Sequence, residues 1–180
     1  MALNEDTLVQ QTTADYLRDA LGWRSEFAYN TEVLGPEGSF GRKSEQDVVL
    51  TRILGEKLIA LNPGLPDAAY RDALRQIVEV GAGLRGMAAN REKYHLLRDG
   101  VKVSYRKPDG TLEVRTLRVF DFDTPENNDF LAVREVWVKG ELYRRRPDII
   151  GFVNGIPLLF IECKNIHKNL RKAYDQNLKD

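Results

Sequence analysis

A chain of 180 residues with 42% apolar and 30% charged side chains can bury one sizeable core and is neither a disordered tail nor a fibre. No apolar stretch approaches the roughly 18 residues of a membrane span, no basic-then-apolar secretory signal opens the chain, and the lone Cys163 excludes an internal disulfide and a multi-cysteine zinc site, so a reducing cytoplasm is the expected setting. The 27 basic and 27 acidic residues cancel, which at face value argues against a nucleic-acid partner.

The first third reads as helical. Leu8, Leu17 and Leu21 recur near helical spacing, Asn4 or Thr7 can cap the start, and Gly22 supplies a left-handed stop, predicting a helix over about residues 5–21. Gly35-Pro36, Gly38 and Gly41 punctuate the segment from Trp23 to Gly41, a connecting loop with a short strand near Phe27 and Tyr29. Ser44 reads as the N-cap of a second helix, with Asp47 in its first turn and Val49, Ile53, Leu54, Leu58 and Leu61 as its apolar stripe, stopping at Asn62-Pro63-Gly64. Pro66-Asp67 opens a third helix through Tyr70, Leu74, Ile77 and Val78, closed by Gly81-Ala82-Gly83, and a fourth spans about residues 85–97, ending before Gly100.

After Gly100 the period changes to two. Val101, Val103 and Tyr105 alternate with polar residues up to the turn Pro108-Asp109-Gly110, and Leu112, Val114, Leu117, Val119 and Phe120 continue as the second arm of a hairpin. A further strand is expected over about residues 130–138, then two apolar strands flanking Asn154-Gly155, and a helix from about Asn165 onward. Trp23, Trp137 and the stripe leucines are assigned to packing, and the isolated His95 and His167 to the surface. No repeat, low-complexity tract or linker divides the chain, so residues 1–180 are read as one domain.

Charge is not evenly spread. Residues 1–40 carry 7 acidic and 2 basic groups, whereas residues 134–172 carry 9 basic and 4 acidic ones. Affinity for a phosphate backbone follows local potential, so this basic segment keeps nucleic acid open as a partner; basic groups decorating solvated elements explain the count equally well. The segment holds an apolar hairpin, Ile149-Ile150-Gly151-Phe152-Val153 and Ile156 to Ile161, with Asp148, Glu162 and Lys164 at its open end. An acid-x-Lys triplet arises by chance roughly once or twice in such a composition, but ionisable groups ending strands that otherwise avoid charge are costly to bury and point to function.

Register decides whether those groups meet. A strict two-residue turn pairs Val153 with Ile156 and sets Asp148 across from Ile161, separating the carboxylates onto opposite faces. One extra residue sets Asp148 across from Phe160, diagonal to Glu162 and Lys164, so an irregular turn or bulge is expected between residues 153 and 157, near Pro157, which cannot donate to the ladder. Two hard carboxylates with room for water suit Mg²⁺ or Mn²⁺, the Cys163 carbonyl adds a possible ligand, and Lys164 can orient or deprotonate a water and stabilise charge on phosphate.

Asp148, Glu162-Cys163-Lys164 and the intervening hairpin resemble the PD-(D/E)xK nuclease superfamily. The longer run Arg146-Pro147-Asp148, Phe152-Val153-Asn154-Gly155, Pro157-Leu158 and Glu162-x-Lys164-Asn165 resembles more narrowly the N-terminal nuclease domain of the restriction (R) subunit of type I restriction-modification enzymes, as do Leu61-Asn62-Pro63, Asp121-Phe122 and Asn128-x-Phe130. The resemblance implies an α/β restriction-endonuclease-like core, a mixed sheet with flanking helices, continuing in a longer subunit of which this chain is a fragment. It implies Mg²⁺-dependent cleavage of double-stranded DNA, with Asp148 and Glu162 as metal carboxylates and Lys164 as catalytic lysine. Arg144, Arg145, Arg146, Lys168, Arg171 and Gln176 would contact DNA, and separate modification and specificity subunits would be partners, the latter reading the sequence. Two positions depart from the family. Gln10 stands about where a first-helix glutamate often completes the metal site, with Glu5 and Glu45 as substitutes, and Asp180 stands where a tyrosine usually follows Gln176 by four residues. No G-x-x-x-x-G-K-[ST] loop occurs, so ATP is implied only for motor domains outside this chain. Two other readings stand beside this one: a different PD-(D/E)xK nuclease, or a degenerate nuclease fold kept for DNA binding or subunit docking.

Overall fold

The computed structural model describes residues 5–79 and 86–163, with side chains from Val9 onward. The Gly81-Ala82-Gly83 stop and the helix expected from Asn165 lie outside them. Helix α1 (Glu5–Leu21) ends at Gly22, whose φ of 71° is the left-handed stop its sequence predicts. Its buried stripe is Gln10, Ala14 and Leu17, an i, i+4, i+7 face that includes Leu17 of the expected leucines, while Leu21, at the end of the same face, is exposed.

Strand β1 (Arg24–Phe27) precedes the glycine-rich loop, and helix α2 (Thr51–Leu61) starts well after the expected Ser44 cap. Asp47 instead closes a local turn, its carboxylate accepting the N–H groups of Lys43 (2.8 Å) and Ser44 (3.2 Å). The helix begins where the chain docks on a distant turn, with the Leu50 N–H donating to the Gly155 carbonyl at 2.8 Å. Helix α3 (Asp67–Val78) and helix α4 (Met87–Asp99) follow as expected, then the antiparallel hairpin of β2 (Val101–Arg106) and β3 (Leu112–Leu117). Val119 and Phe120 leave the hairpin and enter the core.

The strand expected over residues 130–138 is broken. Strand β4 (Phe130–Arg134) ends at Glu135, whose φ is 52°, and the chain turns into a small hairpin of β5 (Val138–Lys139) and β6 (Arg144–Arg145). Left-handed backbone in a non-glycine residue is held by its surroundings: the Glu135 N–H donates to the Asp148 carbonyl at 3.0 Å. Strands β7 (Ile149–Val153) and β8 (Ile156–Ile161) complete a four-stranded mixed sheet in the order β1-β4-β7-β8, in which β1 runs parallel to β4 and the other pairs are antiparallel.

Alternation along β4 and β7 assigns the two faces of this sheet. Ala132 and Ile149 face Ala14 and Leu17 of α1. Leu131, Val133, Ile150 and Phe152 face Phe40 and Leu50 on the other side, and a second cluster joins α2 and α3 to the β2–β3 hairpin through Leu54, Leu58, Ala73, Val101 and Leu117. The result is a mixed sheet flanked by helices, with a helical first third.

The β7–β8 connection sets the register. Asn154 (φ 50°) and Gly155 (φ 80°) form a tight two-residue turn, with Val153 paired to Ile156 and Phe152 to Pro157. Gly151 then pairs with Leu159, Ile150 with Phe160 and Ile149 with Ile161, so Leu158 is an extra residue in β8. The irregularity was expected between residues 153 and 157; it falls one residue later, and it shifts the register in the opposite direction from the one anticipated. The parity is the same. Continued one step beyond the last pair, Ile149 with Ile161, this register would set Asp148 across from Glu162.

Candidate active site

Asp148 sits at the start of β7, half-buried, and is held from two directions. Its Oδ2 accepts the backbone N–H of Cys163 at 2.6 Å, which ties it to the end of β8, and its Oδ1 accepts Nε2 of Gln10 at 3.2 Å, which ties it to α1. Gln10 is only 3% exposed, and a buried amide needs a partner. The residue standing where a first-helix glutamate was expected is therefore at the site, as a neutral donor to the carboxylate. Glu5 belongs to α1, whereas Glu45 is engaged elsewhere. Glu162 and Cys163 are half-buried beyond the end of β8.

Lys164, Lys168, Arg171 and Gln176 lie outside the described residues. The arginine triplet lies within them, and two of its members are bound to carboxylates. Arg144 Nε donates to Glu45 Oε2 at 2.7 Å and the guanidinium lies 3.7 Å from the centre of the Trp137 ring. This hydrogen bond holds the Glu45 carboxyl below its ordinary range and raises Arg144 further. Arg146 pairs with Glu135 at 3.2 Å and lies 4.0 Å over Tyr29, and Arg145 lies 5.4 Å over Tyr143. Trp137, assigned from sequence to packing alone, is the surface on which Arg144 stacks. The positive charge counted along the sequence is thus partly compensated where it folds.

Sequence reasoning passed over Gln11, Arg134 and Glu135. Gln11 follows Gln10 on α1 and accepts a hydrogen bond from Nη1 of Arg134 at the end of β4. The signal was available: Arg134 closes an apolar strand with a charge, as Glu162 does. His95, on α4, is exposed beside Asp99 at 3.2 Å and takes no part.

Asp148 and Glu162 offer hard oxygen donors, the ligand class that Mg²⁺ or Mn²⁺ takes, but among the described residues no group of three or more His, Cys, Asp or Glu side chains could hold a metal. A cavity of about 810 Å³ lies elsewhere, along β1 and α2. Its cations are already occupied, Arg24 by Asp129 at 2.8 Å, Arg52 by backbone carbonyls and Lys57 by the Asn127 carbonyl, so it offers less chemistry than the end of β7. No described helix is long and apolar enough to cross a membrane.

Comparison with known proteins agrees with the family that the sequence resembles. A family model described as the N terminus of the type I restriction enzyme R protein matches residues 2–180. The chain is 37% identical over 164 residues to the type I restriction enzyme HindI endonuclease subunit of Haemophilus influenzae, covering 91% of the chain and 15% of that protein. It is 28% identical over 175 residues to a putative type I restriction enzyme MjaIXP endonuclease subunit of Methanocaldococcus jannaschii, covering 93% of the chain and 16% of the relative. The chain thus spans about a sixth of the length of these relatives.

Proposed function

Since the chain belongs to the family of type I restriction enzyme R protein N termini, we propose that it is a metal-dependent endonuclease domain that hydrolyses phosphodiester bonds of duplex DNA, with Asp148, Glu162 and Lys164 as its reactive groups. The observation that supports this reading is the extra residue at Leu158, which gives the β7–β8 ladder a register that, continued one step past Ile149 and Ile161, would set Asp148 across from Glu162. A regular ladder would have put the carboxylates on opposite faces.

Asp148 and Glu162 would hold Mg²⁺ or Mn²⁺, with the Cys163 carbonyl as a further oxygen. When bound, the cation supplies Lewis-acid polarisation of the phosphate. The protein's own groups do the positioning. Gln10 and the Cys163 N–H fix the half-buried Asp148 carboxylate in one orientation. Lys164, two residues past Glu162, would hold or take a proton from the attacking water and stabilise charge developing on the phosphate. Arg144, Arg145, Arg146, Lys168, Arg171 and Gln176 would contact phosphates without reading bases, leaving recognition to a specificity subunit, alongside a modification subunit and ATP-driven motor domains, in the cytoplasm. Nicking of supercoiled plasmid by the complete protein tests this. Activity should require Mg²⁺ or Mn²⁺ and vanish in Lys164→Ala while duplex affinity is nearly unchanged; persistent cleavage rejects the role of Lys164.

A second reading has its own support. A neutral Gln10 beside Asp148, and two rather than three candidate acidic ligands among the described residues, fit a degenerate nuclease fold kept for DNA binding or subunit docking. Mn²⁺ titration separates the two: affinity that depends on Asp148 and Glu162 favours the enzyme, and its absence favours the inactive fold. Cleavage independent of any motor would instead indicate a stand-alone PD-(D/E)xK nuclease.

A further inference from the structure

Arg134 contacts no carboxylate among the described residues, unlike Arg144 and Arg146 nearby. Its guanidinium is nevertheless fixed. Nη1 donates to Oε1 of Gln11, and Gln11 in turn donates from Nε2 to Asp15 at 2.9 Å, so the amide is turned with its oxygen toward the arginine. Phe27, the cross-strand neighbour of Arg134 in β1, places its ring centre 5.2 Å from the guanidinium carbon. Nε is buried and has no hydrogen-bond partner among the described residues. An ionised donor left so is costly to the fold and calls for an acceptor that the described residues do not supply.

Its position says which acceptor. Gln10 and Gln11 are consecutive on α1, and one holds Asp148 while the other holds Arg134. Arg134 pairs with Ile149 across β4 and β7, and the next N–H, that of Glu135, donates to the Asp148 carbonyl at 3.0 Å. Arg134 and Asp148 therefore lie at the same end of the sheet on adjacent strands, whose backbones are separated by about 5 Å. With Nη1 taken by Gln11, the edge left is Nε with Nη2, the side-on pair that matches two oxygens of one phosphate. Arg134 as a whole is only half-buried, so part of its side chain reaches solvent.

We infer that Arg134 binds the non-bridging oxygens of a DNA phosphate beside the one addressed by Asp148, held ready by Gln11 and Phe27. This rests on the nuclease reading above, with Arg134 as a substrate-binding residue.

The test uses the complete protein and a fluorescein-labelled duplex of about 24 base pairs, with Ca²⁺ in place of Mg²⁺ so that binding is read without cleavage, across a salt series. Arg134→Gln should weaken binding about 5- to 20-fold near 0.1 M salt and reduce the slope of log affinity against log salt by about 1. Arg134→Lys should restore the slope but not the full affinity, since an ammonium keeps the charge and loses the fork. Unchanged affinity and slope in a normally melting Arg134→Gln protein would overturn the inference; if that variant fails to fold, wild-type affinity in Arg134→Lys does so. Asp148→Asn keeps the two readings apart. A wild-type protein that does not cut with Mg²⁺ or Mn²⁺ removes the nuclease reading and cutting that persists in Asp148→Asn removes Asp148 from the site, whereas a missing Arg134 effect alongside Asp148-dependent cutting removes only this inference.

Discussion

Replacing Asn154 by alanine tests whether the turn that sets the β7–β8 register is held by its buried side chain. Asn154 is fully buried at a φ of 50°. Its Nδ2 donates to the Val119 carbonyl and to Asn128 Oδ1, both at 2.8 Å, and its Oδ1 accepts the Asp129 N–H at 2.7 Å. In Asn154→Ala, Asn128 Oδ1 keeps a second donor, the Asp121 N–H at 2.9 Å, but the Val119 carbonyl and the Asp129 N–H are left without these partners. Leaving the buried Val119 carbonyl and the half-buried Asp129 N–H unsatisfied costs about 1–3 kcal/mol each, and a left-handed alanine roughly 1 more, for a total near 5 kcal/mol. That is a third or more of the roughly 5–15 kcal/mol that holds a folded domain together. Urea denaturation of the chain followed by tryptophan fluorescence should show the midpoint falling by roughly 2 M with little change in slope. Asn154→Gly relieves the backbone but restores no hydrogen bond, so it should be milder by about 1 kcal/mol. A loss below about 1.5 kcal/mol in the alanine variant would refute the reasoning, because the hydrogen-bond network would then not be what holds the turn.

Gly155→Ala strikes the same turn sterically: a Cβ there would lie 2.5 Å from the Leu50 carbonyl oxygen at a φ of 80°, so a thermal melt should show a clear fall in Tm, and an unchanged one would mean the turn does not clamp α2. Gln10→Glu should strengthen Mn²⁺ binding roughly tenfold by calorimetry and, without metal, lower stability, because it sets a second carboxylate beside Asp148; no gain in affinity would show that α1 takes no part in the metal site. The carboxyl of Asp121 is held below its ordinary value, chiefly by the Asn127 amide and then by the Thr124 N–H. A depressed acid contributes stability that is present above about pH 4 and lost as pH falls through the folded value, so melts between about pH 5 and 3 should decline less steeply in Asp121→Asn than in the parent, and equal slopes would contradict this.

The elements whose signals are local were legible in the chain. Helix α1 and its Gly22 stop, the break at Asn62-Pro63-Gly64 and the β2–β3 hairpin depend on residues one to four positions apart, where side chain and backbone settle the conformation between themselves. The carboxylates of the candidate site were legible too, because charge at the end of an apolar strand is conspicuous. Other features required partners far along the chain. Helix α2 starts at Thr51 because Leu50 meets Gly155, and β4 stops at Glu135 because its N–H meets Asp148. Leu158 as the extra residue, and hence a register that would set Asp148 across from Glu162, is a property of strand pairing that alternation alone leaves open by one position. Gln10 illustrates the division most clearly. Read alone it is a polar residue on an amphipathic helix; only the folded chain brings Asp148 to it, and the hydrogen bond between them is what allows an amide to sit in the buried face of α1.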